Sequence, residues 1–227
     1  MSLGSEETIV KTGISAYSIL GVIDRGKPMK HLYDYTAEYA ARSPEKIAVS
    51  DERGMITYAQ LDRKSSTVAA RLAGMGIGPG DAVAVYVAYD KEIVTGTYAA
   101  MKAGGVYLPL EYTYPEERLQ FMLEDSSASA LLTLRSLWEE KPLNFPQDRV
   151  LFMDDEFEDT EFLPADPAPE DPAMILYTSG TTGRPKGVVL PHAMMVSLLN
   201  WARCSQRESE GTRASSLWGG STPNRRQ

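Results

Sequence analysis

Cysteine is almost missing from this chain: Cys204 stands alone among 227 residues. A single thiol forbids an intramolecular disulfide and excludes a metal cluster built on cysteine, so the sequence suits a reducing compartment. Histidine is nearly as scarce. His31 and His192 lie far apart and each reads as isolated; His192 is expected to enter a helix carrying Met195, Leu198 and Leu199. No apolar run approaches the roughly 20 residues a membrane helix needs, and Met1 to Glu7 lacks the basic stretch and apolar core of an export signal. Positive charge is in deficit, since 23 Lys and Arg against 31 Asp and Glu leave a net −8. That field opposes nonspecific attraction to nucleic acid or anionic membrane, so any anion must be held by local geometry. The expectation is a cytoplasmic protein with no nucleic-acid or membrane partner.

What remains is an ordinary globular composition, 43% hydrophobic and 24% charged, in a chain long enough for one large domain or two small ones. Residues 1–28 lack sustained periodicity and read as a leader or linker. From Lys30 the spacing of Leu32, Tyr35 and Tyr39 predicts a helix that stops near Ser43-Pro44. Lys46 to Ser50 and Met55 to Thr57 read as short strands around the turn Asp51-Glu52-Arg53-Gly54. Thr57 and Gln60 have the spacing of a capping box, and Leu61, Val68, Ala69 and Leu72 make the stripe of the helix that follows.

Ala82 to Ala88 is continuously apolar, which suits a parallel strand buried on both faces. Asp90 is expected to cap a helix with Ile93, Val94, Thr97 and Met101 inward and Gly104-Gly105 at its end. A strand at Val106 to Leu108, a helix opened by Pro115 with Leu119, Met122 and Leu123 buried, and a strand at Ala130 to Leu134 continue the alternation. Repeated strand-helix-strand order predicts an α/β fold with layered sheet and flanking helices. Nine acidic residues and no Lys or Arg between Asp154 and Asp171 read as a solvated connection, their carboxylates scattered among prolines rather than spaced for a metal.

The chemistry concentrates after the apolar stretch Ala173-Met174-Ile175-Leu176, where Tyr177-Thr178-Ser179-Gly180-Thr181-Thr182-Gly183-Arg184-Pro185-Lys186-Gly187 follows. Gly180, Gly183 and Gly187 open backbone angles and let amides face an anion, Thr178, Ser179, Thr181 and Thr182 add hydroxyls, and Lys186 adds a compact charge. The set points to a polyphosphate. It is not a P-loop, because Arg184 and Pro185 separate Gly183 from Lys186 and Gly187 stands where Ser or Thr should be. Nor is it a flexible tether, since Val188-Val189-Leu190 follows as a second apolar strand.

Tyr177 to Gly187 resembles the phosphate-binding signature of the adenylate-forming superfamily. Met101 to Leu110 resembles the second core motif of its nonribosomal peptide synthetase branch, and Ile56 to Leu61 the first; Tyr114-Pro115-Glu116-Glu117-Arg118, running on to Met122-Leu123-Glu124-Asp125, also fits, with Glu111 where that branch usually carries Asp. The resemblance spans about Leu32 to Ala202. It implies the N-terminal part of the large domain of such enzymes, here incomplete, with residues 29–202 as a partial AMP-binding domain. It implies ATP and magnesium as cofactors, an amino acid or other carboxylic acid as substrate, and activation of that acid as an acyl-adenylate. A peptidyl carrier domain whose phosphopantetheine takes the acyl group is the implied partner.

Thr178, Ser179, Gly180, Thr181, Thr182, Gly183, Lys186 and Gly187 are the implied nucleotide-binding residues. No catalytic residue or metal ligand is assigned, and Lys186 is not the lid lysine of the family. After about Ala202 the periodicity dissolves, and residues 203–227 read as a disordered tail foreign to the family, with a truncation or frame change near Arg203. The expectation is a fragment inactive alone, with apolar surface exposed where later strands would pack. An acyl- or aryl-CoA ligase fragment and a noncatalytic truncated product are the alternatives.

Overall fold

A computed structural model describes residues 29–88, 91–178 and 185–201. Helix α1 (Leu32–Arg42) opens the described chain, its first turn fastened by Asp34, whose Oδ2 accepts from the His31 amide at 2.9 Å. Strands β1 (Ile47–Asp51) and β2 (Gly54–Thr57) form an antiparallel hairpin. Helix α2 (Tyr58–Gly74) then starts on the expected capping box: the Gln60 amide donates to Thr57 Oγ1 at 3.3 Å and the Thr57 amide to Gln60 Oε1 at 2.9 Å. The stripe Leu61, Val68, Ala69 and Leu72 is fully buried.

Strand β3 (Ala82–Val87) is buried at all six positions, as its unbroken apolar run requires. Helix α3 (Glu92–Lys102), β4 (Val106–Glu111), α4 (Glu116–Asp125), β5 (Ala130–Thr133), α5 (Arg135–Glu140), β6 (Val150–Phe152), β7 (Pro172–Thr178) and β8 (Lys186–Pro191) follow, and residues 192–201 form a last helix, α6. Pro115 sits one place before α4, at its N-cap, rather than inside the first turn. Asp90 lies outside the described residues, and Lys91 occupies the N-cap of α3.

The main sheet has the order β6-β5-β3-β4-β7-β8, parallel except for the antiparallel pair β7-β8. Side chains alternate between two cores. Val83, Val85, Val87, Tyr107 and Leu132 meet α1, α2 and α3 on one face, whereas Ala84, Tyr86, Leu108, Leu110 and Leu131 meet α4 and α5 on the other. The chain moves from β3 to β4, and later from β6 to β7, over the first face; it returns from β4 through β5 to β6 over the second. A single crossover hand demands that exchange of faces when the direction reverses.

Helix α3 approaches the sheet closely because Gly96 faces it: a Cβ there would lie 2.8 Å from Val85 Cγ1. Its last residue, Lys102, is 1% exposed, and its ammonium donates to Asp62 Oδ1 at 2.7 Å, Ser65 Oγ at 2.9 Å, and Asp62 O and Ser66 Oγ at 3.0 Å. Burial outweighs the neighbouring Asp62 carboxylate and lowers the Lys102 pKa. The lysine thus bolts α2 to α3.

The acidic segment is coil and mostly solvent-exposed, as expected, and several of its carboxylates also pair with neighbouring residues. Asp154 accepts from the Arg135 amide at the start of α5, Asp155 pairs with the Arg135 guanidinium, Asp159 with Arg63, and Asp166 with Lys30 and His31. Tyr33 donates to Ala165 O, and the Ala165 amide to Lys102 O at 2.8 Å. The histidines, by contrast, are not isolated, contrary to expectation. His31 and His192, 3% and 1% exposed, meet edge to face with centroids 5.4 Å apart. Burial and the neighbouring His31 depress the His192 pKa, more than Asp171 raises it.

Candidate phosphate-binding site

The glycine- and hydroxyl-rich run leaves β7 at the carboxyl edge of the sheet, where the parallel strands β3, β4 and β7 all end. That edge is where open α/β sheets bind ligands. Antiparallel register sets Thr178 opposite Lys186, Tyr177 opposite Gly187 and Leu176 opposite Val188. Directly paired residues share a face of the sheet, so the Thr178 hydroxyl and the Lys186 ammonium leave the mouth of the hairpin on the same side. Both are exposed. Among the described residues no carboxylate pairs with Lys186, leaving its charge available to an anion. Ser179, Gly180, Thr181, Thr182 and Gly183 lie outside the described residues.

Gly187 lies opposite Tyr177 in the hairpin. It sits inside β8 in ordinary extended backbone, and a Cβ there would come 3.3 Å from Ile175 Cγ2 and 3.3 Å from Tyr177 Cζ. Its lack of a side chain clears space for the tyrosine ring across the hairpin. Tyr177, only 9% exposed, packs into the second core edge to face with Phe121, and its hydroxyl donates to Asp125 Oδ2 at 2.6 Å, with Met122 O 3.5 Å away. Burial, reinforced by Asp125, raises its pKa and keeps the phenol protonated.

No partnership between Tyr177 and Asp125 follows from local sequence rules. One signal was present: α4 ends in Glu124-Asp125 with no basic residue in its last turn, the charge sign that the helix dipole disfavours there. Beside the hairpin a cavity of about 260 Å³ is lined by Val87, Pro109, Glu111, Tyr114, Leu176 and Tyr177. Its rim is braced, since Lys141 Nζ donates to Tyr112 O at 2.9 Å and Tyr114 O at 2.7 Å, and the Arg118 guanidinium lies 3.9 Å from the Tyr114 ring centroid.

Among the described residues no three His, Cys, Asp or Glu converge to hold a metal, so these side chains form no magnesium cage. An exposed lysine and threonine at one hairpin mouth do fit the terminal phosphates of a nucleotide. No described helix is long and apolar enough to cross a membrane. Leu176, Val188 and Val189, with Met194, Leu198 and Trp201 of α6, are large apolar side chains left exposed.

A family model described as AMP-binding enzyme matches residues 36–219. The chain belongs to this family. The matched range extends past residue 202, the expected end of both periodicity and resemblance. Among curated relatives, gramicidin S synthase 2 of Brevibacillus brevis is 36% identical over 172 residues, covering 74% of this chain and 4% of the synthase. Tyrocidine synthase 3 of Brevibacillus parabrevis is 33% identical over 208 residues, 89% of this chain and 3% of that protein. This family member therefore spans a small part of the relatives' length. Among solved structures, the AMPPNP-bound form of the nonribosomal peptide synthetase FmoA3 superposes with a TM-score of 0.67 at 33% identity, covering 75% of this chain and 18% of that one. The form of the same synthetase bound to alpha-methyl-L-serine-AMP gives 0.66 at 33% identity, covering 74% and 19%.

Proposed function

We propose that this chain carries the triphosphate-gripping part of an amino-acid-adenylating domain of nonribosomal peptide synthesis. In that reaction a carboxylate attacks the α-phosphorus of ATP, releasing pyrophosphate and leaving an acyl-adenylate for a phosphopantetheinyl carrier domain. The observation that carries the reading is the pairing of Thr178 with Lys186 at the carboxyl edge of the parallel sheet. Thr178, Ser179, Thr181 and Thr182, with the amides of Gly180 and Gly183 and the charge of Lys186, would hold the β- and γ-phosphates and orient the α-phosphorus. Gly187 completes the set, and its missing side chain also makes room for the Tyr177 ring. Magnesium would arrive with ATP and spread the charge of the departing pyrophosphate. The similarity to peptide synthetases, in nucleotide-bound and aminoacyl-adenylate-bound forms among others, supports an amino acid as the substrate class.

Calorimetric titration of the purified chain with Mg-ATP tests the reading. Binding is expected, and Lys186→Ala removes it; equal binding by the variant refutes the assignment. Acid-dependent exchange of labelled pyrophosphate into ATP, run over an amino-acid panel on this segment within a complete adenylation domain, tests the substrate class. Exchange supported only by fatty or aryl acids would move the protein to the CoA-ligase branch. The 227-residue chain alone is expected to bind nucleotide without turning it over.

A further inference from the structure

We infer that Tyr177 and Asp125 form a positioning pair that fixes the mouth of the phosphate hairpin against α4. The inference rests on the phosphate reading of that hairpin and adds residues outside the phosphate-contacting set. Thr178 and Lys186 are exposed, so something behind them must fix where their side chains leave the sheet. Strand β8 is the outer edge of the sheet and has β7 as its sole strand neighbour among the described residues, which leaves the hairpin dependent on anchors made by β7 itself.

Next to Thr178, the Tyr177 side chain crosses to the opposite face. Its phenol donates to Asp125 Oδ2 at 2.6 Å, a short bond to a carboxylate and stronger than a neutral one. Asp125 is badly placed for helix stability, at the C-terminal end of α4 beside Glu124, so holding the phenol is what its position serves. Phe121 meets the ring edge-on, centroids 6.4 Å apart, and Gly187 leaves the room in which the ring lies. The tyrosine is thereby held from α4, across the hairpin and along its own strand, one residue before the first phosphate-directed hydroxyl.

The test compares wild type, Tyr177→Phe, Asp125→Ala and Asp125→Asn in the 227-residue chain. Mg-ATP is titrated well below the melting temperature of each. Tyr177→Phe and Asp125→Ala should each weaken binding about tenfold, the loss of one good hydrogen bond. The double variant should be no weaker than either single one. Asp125→Asn keeps an acceptor for the phenol and should bind within about twofold of wild type; a merely structural role would not show this rescue. In nucleotide-free protein, amide exchange in 174–178 and 186–190 should rise about tenfold in Tyr177→Phe and Asp125→Ala but not in Asp125→Asn.

Wild type that binds ATP alongside unchanged Tyr177→Phe overturns the positioning role and leaves the phosphate reading intact. Wild type that fails to bind overturns the phosphate reading, and hydrogen exchange still decides the anchor. Unchanged protection of the hairpin in Tyr177→Phe removes it.

Discussion

Replacing Lys102 with methionine isolates the buried ammonium between α2 and α3, because the stem keeps its packing while the donors are lost. The bond to Asp62 is charge-assisted, a class contributing about 1.5–3 kcal/mol. Removing one partner of a fully buried pair costs about 3–5 kcal/mol, but the Asp62 side chain is 33% exposed and water can take the lysine's place there. Ser65 is fully buried, yet keeps its own donation to Asp62 O at 3.1 Å. Against the loss stands a gain, since the lowered pKa of Lys102 means that burial penalises its charged form.

The balance is a net loss of about 2 kcal/mol, or a urea midpoint about 1 M lower for a slope near 2 kcal/mol/M. Circular dichroism in urea at pH 7 measures it. The pH dependence has a definite sign: the unfolded state binds the proton more tightly than the folded state. Wild type should therefore gain stability over Lys102→Met as pH rises from the depressed folded pKa toward 10.5. A midpoint that is unchanged or higher in Lys102→Met would refute the bolt, and a gap that narrows on the alkaline side would refute the linkage.

Two further perturbations probe the frame around the site. Gly96→Ala should destabilise by about 1 kcal/mol in the same assay, because crowding Val85 Cγ1 costs about 1–3 kcal/mol and the better helix former returns about 1. An increase in stability would show that α3 can withdraw from β3. His192, whose pKa is depressed from 6.5, contributes stability present above that value and lost as pH falls through the folded pKa. Melting temperatures between pH 7.5 and 5 should fall in wild type, and the fall should flatten in His192→Asn; parallel curves would refute this role for His192.

Local rules carried the parts of the fold that local rules govern. The box at Thr57 and Gln60, the doubly buried β3 and the glycine-ended α3 all follow from hydrogen-bond and periodicity constraints within a few residues. Helix α5 and strand β6, at six and three residues, are too short to show a period and drew no assignment. The hairpin residues were legible because glycines and hydroxyls concentrate there, and Thr178 and Lys186 do meet at its mouth. Partnerships across the chain were not legible: Asp166 with His31, Lys102 with Asp62 and Tyr177 with Asp125 join residues dozens to more than a hundred positions apart. The room Gly187 leaves for the Tyr177 ring stayed hidden for the same reason, since it depends on a residue across the hairpin.

Helix α1 packs chiefly on α2, yet it also reaches the far end of the described chain. His31 meets His192, and Tyr35 donates to Asn200 Oδ1 at 2.8 Å across 165 positions. During synthesis α1 can stack early on α2 through Tyr39 and Tyr58, whose ring centroids are 4.7 Å apart, but its remaining flank waits until α6 has emerged. A ribosome stalled before residue 190 would display a nascent chain in which α1 still lacks its partners His192 and Asn200, leaving that flank open to chaperones and proteases.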